Sequence, residues 1–288
     1  MTELVLGTAQ WGAGYGVTNL IGRLGDAQID AIAAVAQEAG IAAVDTAAGY
    51  GDAQRRLRPW SHAFAVRTKL SGAEPTELAS GVDEALAELD LARLDGCLIH
   101  DWDALDPRTA TTAAGELERL RDRGLSRCVG VSVYDEAALG LARDAFEHLD
   151  MVQVPANALD RRLDGSSLLG ALADSGTIIQ VRSAFLQGLL AGPSDVALGQ
   201  HPHVLRFLAA ASDSGHSPLA MTLAHVRALP WASEIVIGVA SADELTQILS
   251  AWSATVPVLL SDDLASDDLS LIDPRTWGSA TASVRMGP

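Results

Sequence analysis

The chain has 288 residues and a mass of 30.0 kDa; 48% of it is apolar and 20% charged, and 37 acidic residues against 20 Lys and Arg give a formal net charge of −17. That apolar content excludes a disordered chain. The charge argues against duplex DNA or an anionic membrane as partner, because the densest basic cluster is only Arg55, Arg56 and Arg58.

No run reaches the roughly 20 apolar residues of a membrane span. The opening MTELVLGTAQWG has neither the basic nor the long apolar region of a signal peptide. Cys97 and Cys128 each sit in an apolar run, which reads as two small buried hydrophobes and not a disulfide framework. A cytoplasmic protein is expected.

In chain order, short apolar runs alternate with amphipathic segments. LVLGT at 4–8 reads as a first strand, followed by a helix at 26–40 that opens at Asp26 and closes at Gly40. AAVDT at 42–46 and FAVRTK at 64–69 are the next two strands, and a helix over 76–90 carries Leu78, Val82, Leu86 and Leu89 on one stripe. GCLIH at 96–100 precedes a helix at 108–124, whose basic end suits the negative pole of a helix dipole. CVGVS at 128–132, MVQVP at 151–155, TIIQV at 177–181 and EIVIG at 234–238 complete the strands. Helices are expected at 135–147, 166–175, about 217–229 and 241–252, and longer loops at 156–165 and 187–203.

Runs this short and this apolar suit strands buried on both faces. Eight of them alternating with helices close most economically into a (β/α)8 TIM barrel, one domain over 1–278 with a flexible tail at 279–288. The open-sheet alternative would show a GxGxxG turn after its first strand. Here Gly12, Gly14 and Gly16 are followed by Val17 where the pattern fails, so the glycines read as a flexible loop.

In a parallel barrel the reactive groups stand at the carboxyl ends of the strands. That rule selects Asp45, Tyr50 just beyond it, Lys69, His100, Ser132 and Gln153. A lysine ammonium about 4 Å from a phenol stabilises the phenolate by roughly 4 kcal/mol at an effective dielectric of about 20. Lys69 would therefore make Tyr50 a proton donor near neutral pH, with Asp45 as the counterion that keeps Lys69 charged and His100 orienting a substrate oxygen. The set suits protonation of a carbonyl oxygen while hydride reaches carbon. No side chain donates hydride, so a nicotinamide cofactor is implied. Each residue alone has an ordinary structural reading, from cap to core aromatic to surface charge; their conjunction carries the chemistry.

Over nearly its full length the chain resembles the aldo-keto reductase family. The matching motifs are LGTAQWG, VDTAAGYG at 44–51, RTKL at 67–70, LIHDWD at 98–103, VGVSVY at 129–134, MVQVPAN at 151–157 and IVIGVASADEL at 235–245. The resemblance implies a catalytic tetrad of Asp45, Tyr50, Lys69 and His100 and an NAD(P)H-dependent reduction of an aldehyde or ketone, a sugar or other polar metabolite being among the candidates. It further implies cofactor contacts at Gly7, Thr8, Asp45, Ser132, Gln153, Arg182, Ser183 and Gly238.

Two departures stand out. Ser132 is followed by Val133 where the family often has Asn, and Arg182 with Ser183 stands where an aromatic residue often stacks on nicotinamide. Arg182 could stack as a flat guanidinium, or bind a phosphate or a substrate carboxylate. The stretch GVASADEL has no basic residue for an adenosine 2′-phosphate and carries Asp243 and Glu244. NADP and NAD both stay open, with Arg161 or Arg162 as the loop cations that could reach a phosphate.

Trp11 and Trp102, just past strand ends, are candidates to wall the substrate pocket. His201 and His203 form an HxH pair, but no carboxylate or cysteine is near in sequence and no metal site is expected. Two other functions stay open: a cofactor-binding regulatory protein with little turnover, and a lyase or epimerase using the same acid–base set. The sequence leaves the oligomeric state unknown.

Overall fold

In the computed structural model, which describes residues 2–277, eight parallel strands run in sequence order around a closed barrel. They are β1 (Glu3–Gly7), β2 (Ala43–Asp45), β3 (Ala65–Leu70), β4 (Leu94–Ile99), β5 (Ser126–Ser132), β6 (Met151–Pro155), β7 (Ile178–Arg182) and β8 (Glu234–Gly238). Pairing of β1 with β8, from Glu3 opposite Glu234 to Gly7 opposite Gly238, closes the cylinder. All carboxyl ends therefore meet at one rim. The expected tail at 279–288 lies outside the described residues.

Side chains alternate along each strand. One set faces the helices and joins the main core: Leu4 and Leu6, Val44, Val66, Cys97 and Ile99, Val129 and Val131, Val152 and Val154, Ile179 and Val181, Ile235 and Ile237. The other set fills the barrel interior, and much of it is polar. Asp45, Arg67, Lys69, Gln153, Gln180 and Glu234 are all buried. This differs from the run of branched apolar residues usual inside such barrels. Gly96 lies beside the Arg67 stem, where a Cβ would sit 3.2 Å from Cγ. At Gly130 a Cβ would fall 1.7 Å from the Met151 carbonyl oxygen, so only glycine permits that approach of β5 to β6. Cys97 and Cys128 are free and buried, and burial pushes the Cys97 thiol up to about 12.

The helices follow the expected order with small shifts at the ends. Asp26 is the first helical residue of Asp26–Glu38, and Gly25 is its cap, its amide donating to the Gln28 side chain at 2.9 Å. Gly40 closes that helix at φ +77°. Beyond the expected helices lie the short Ala9–Gly12 and Ala53–Leu57, after β1 and β2, and the longer Pro202–Asp213, because β7 is followed by two helices where one per strand is expected. Its start signals were visible: Pro202 stands at the first turn and the His201 ring accepts from the His203 amide at 3.3 Å. The HxH spacing is thus a helix cap, with His201 Nε2 also 3.3 Å from Asp268.

The loops after β6 and β7 are not loose. Leu159, Leu186, Leu190, Phe207, Leu271 and Trp277 belong to a second apolar cluster, which ties these loops to the Pro202–Asp213 helix and the carboxyl segment. That packing holds a strained stretch. Ser183, Leu186 and Gln187 all adopt positive φ (60°, 44° and 53°), followed by Gly188 at 95°. Non-glycine residues in this region are costly and concentrate at functional sites.

Candidate active site

The second strand is three residues long and ends in Asp45, and Ala47 to Tyr50 make a turn in which the Tyr50 amide donates to Ala47 O at 3.0 Å. That turn brings Tyr50 back over the barrel mouth. Lys69 comes from the end of β3 and is 1% exposed. Its ammonium donates to Asp45 Oδ2 at 2.7 Å and to Thr46 O at 2.9 Å. It lies over the Tyr50 ring, 4.9 Å from the centroid. His100, one residue past β4, stands edge-on to Tyr50 with ring centroids 5.8 Å apart. The four residues selected from the sequence thus share one mouth.

The electrostatics differ from expectation in one respect. Burial, and after it the Asp45 carboxylate, push the Tyr50 phenol above its ordinary range; the cation that opposes them is Arg182. The expected lowering by Lys69 is absent, because Asp45 and Thr46 engage that ammonium and Asp45 neutralises it. Burial lowers Lys69, against the pull of Asp45. Tyr50 therefore keeps its proton at neutral pH, while the raised value makes it a weaker acid than a phenol tuned near the working pH.

Loss of solvent around the imidazole, together with the Lys69 charge, lowers His100 from 6.5 to about 4. His100 is therefore neutral above about pH 5 and can share a hydrogen bond with an uncharged oxygen. A folded-state value below the unfolded one means that the unfolded chain takes up the proton first. The contribution to stability is complete above 6.5 and is lost as pH falls toward 4. Proton NMR of the His100 ring should show a midpoint near 4; a midpoint near 6.5 would refute the neutral imidazole.

Beneath the mouth, hydrogen bonds run down the barrel. Gln153 Nε2 donates to Asp45 Oδ1 at 2.8 Å and to Gln180 Oε1, and Gln180 Nε2 donates to Glu234 at 3.1 Å. Glu234 pairs with Arg67, which also donates to Asp95 at 2.8 Å. The two end carboxylates fix both amide orientations, since each must receive N–H and neither ionised carboxylate can donate. Asp45 is thus held on both oxygens, by Lys69 and by Gln153.

A family model described as the aldo/keto reductase family matches residues 3–263. The chain belongs to that family. Among solved structures it is similar to an aldo-keto reductase from Bacillus halodurans in its holo form, with a TM-score of 0.72, 16% identity and coverage of 91% of this chain and 89% of that one. It is also similar to a glycerol dehydrogenase from Gluconobacter oxydans, with a TM-score of 0.66, 20% identity and coverage of 91% and 88%. No curated protein matches the chain. As an aldo/keto reductase it is an NAD(P)H-dependent oxidoreductase acting on small carbonyl compounds.

The reductase mouth has features that fit a nicotinamide cofactor. Among the described residues Gln153 Oε1 accepts no hydrogen bond, and Ser132 Oγ accepts only a 3.3 Å contact from Arg182. Gln10 Oε1 and Thr46 Oγ1, just past β1 and β2, are buried polar atoms without partners among the described residues, an arrangement that native structures seldom leave unanswered. The strained stretch from Ser183 lies on the same rim. Gly7 pairs with Asp45 and Gly238, and a Cβ on Gly238 would lie 2.7 Å from the Gln10 amide nitrogen. Thr8 is fully buried, its hydroxyl donating to Asp45 O at 3.1 Å.

Two expectations need correction. Trp11 and Trp102 are both 0% exposed and offer no wall to a substrate. Trp102 turns outward into the helix layer, donating to Ala138 O at 3.0 Å and packing on Phe146. Trp11 likewise belongs to the main core. Aromatic residues do line the mouth, but others. Burial pushes the Tyr15 phenol, in the glycine-containing loop after β1, above its ordinary range, against the nearby charges of Arg182 and Lys69. Tyr134, two residues past β5, stacks under Arg182 at 3.9 Å. Their signal was the strand-end rule itself, extended two residues further past β5 and into the loop that was read only for its glycines.

Proposed function

We propose that the enzyme reduces an aldehyde or ketone to an alcohol, with Tyr50 protonating the carbonyl oxygen, and that it takes NADH in preference to NADPH. A bound reduced nicotinamide supplies the hydride. Tyr50, protonated at neutral pH, gives its proton to the oxygen as negative charge develops there. Lys69 stays cationic through Asp45 and packs over the face of the Tyr50 ring, and the resulting phenolate regains a proton from solvent. Neutral His100 positions the oxygen. Ser132 and the Gln153 carbonyl group would hold the carboxamide of the cofactor. The observation that carries the reading is the convergence of Asp45, Lys69, Tyr50 and His100 on one rim.

The cofactor preference rests on charge. Past β8, Ser241 caps helix Ala242–Ala254, and Glu244 accepts the Ala240 amide at 2.7 Å. A carboxylate thus already occupies this helix start, where a dianionic 2′-phosphate would be repelled. Neither loop arginine relieves this. Arg162 is bidentate to Asp160, and Arg161 donates to the Ala158 and Leu260 carbonyls. Calorimetric titration should show NADH binding about tenfold or more tighter than NADPH. Tighter NADPH would overturn the preference, and binding of neither would overturn the reductase reading.

A further inference from the structure

Arg182 is a departure from the family pattern that the proposed reaction does not use. It ends β7 and leans half-buried into the mouth. Its guanidinium stacks on Tyr134 at 3.9 Å, and Arg275 stacks on the same ring at 3.7 Å. Arg275 is neutralised by Asp273 at 2.7 Å, with Asp103 at 3.7 Å. Arg182 has no such partner among the described residues. Its three hydrogen bonds go to Ser132 Oγ, Val133 O and Ser183 Oγ, all neutral and all long at 3.3 to 3.4 Å. A guanidinium has five N–H groups, so two remain.

The neighbouring charges are already matched. Asp45 balances Lys69, and Asp103 accepts the Tyr134 amide and faces Arg275. Arg182 is therefore the one cation at the mouth without a carboxylate in salt-bridge contact among the described residues, Asp103 acting on it only from a distance, in a chain whose net charge is −17. Taking an unpaired charge out of water is costly, and a neutral substrate would gain nothing from it. A planar fork with free N–H groups, stiffened by stacking, matches a carboxylate.

We propose that Arg182 selects carbonyl substrates bearing a carboxylate, an aldehyde acid or oxo acid whose anion lies on the guanidinium while its carbonyl meets Tyr50. The proposal rests on the carbonyl-reduction reading. The same N–H groups could receive a cofactor phosphate instead, and the test separates the two.

Matched pairs differing only in charge give the readout: 4-carboxybenzaldehyde against 4-carbamoylbenzaldehyde, and glyoxylate against glyoxylamide. In at least one pair kcat/KM should favour the acid by about tenfold or more. Arg182→Leu should bring that ratio below about twofold, and Arg182→Lys should retain part of it. Calorimetry on the unmodified chain, independent of turnover and of any variant's folding, should show benzoate binding about tenfold tighter than benzamide.

Equal rates within both pairs, or a preference that survives Arg182→Leu, would overturn the assignment. So would weaker NADH binding in Arg182→Leu with the substrate ratio unchanged, which would give Arg182 to the cofactor. Benzoate selectivity without reduction of any of the four aldehydes would sustain the anion site and refute the reductase reading. Absence of both would refute the two together.

Discussion

Replacing Tyr50 by Phe should lower kcat by about 10³-fold, within the range for loss of a positioned general acid, while the Kd for NADH changes by less than about twofold. The ring itself stays: the edge contact to His100 and the face under Lys69 need no hydroxyl. Among the described residues the Tyr50 hydroxyl makes no hydrogen bond that the fold requires, so stability should be nearly unaffected. Steady-state kinetics with calorimetry of NADH measures both sides. A variant retaining more than about a tenth of the parent kcat would remove Tyr50 from the reaction.

The second large effect concerns the buried pair beneath it. Lys69→Met leaves the Asp45 carboxylate buried with only the Gln153 amide on its far oxygen. Removing one member of a buried ion pair costs about 3–5 kcal/mol, and urea unfolding should show a loss of this order alongside loss of turnover. Asp45→Asn, which leaves the ammonium without its anion, should be destabilised as well. The double variant should be more stable than Lys69→Met, because no unpaired charge stays inside. Additive losses in this cycle would show that the two residues act independently, contrary to the 2.7 Å contact.

The barrel was legible because its helix-facing half obeys a simple rule. Leu6, Val44, Val66, Ile99, Val131, Val154, Ile179 and Ile237 mark the eight strands in order, and polar residues at strand ends then mark the rim. The rule placed Asp45, Lys69 and His100 together without knowledge of their distances. It was weaker where three-dimensional neighbours decide.

The polar interior of Arg67, Gln180 and Glu234 was hidden within runs that read as apolar, since period-two alternation carries no record of which strand stands opposite. Trp11 and Trp102 were assigned by proximity in sequence, yet one residue of helical or 3-10 turn is enough to swing an indole from the mouth to the core. The partner of Lys69 is likewise a matter of angle. Position said that the amine and the phenol meet, but Asp45 takes the ammonium and leaves Tyr50 with its proton.

The most direct measurement follows a single turnover with NADH deuterated on the transferred face of C4 and 4-carboxybenzaldehyde, analysing the alcohol by mass spectrometry. The parent chain should yield alcohol carrying one deuterium on the former carbonyl carbon, formed about 10³-fold faster than by Tyr50→Phe. Alcohol without deuterium, or equal rates from the two proteins, would contradict the assignment of this mouth to carbonyl reduction with Tyr50 as its acid.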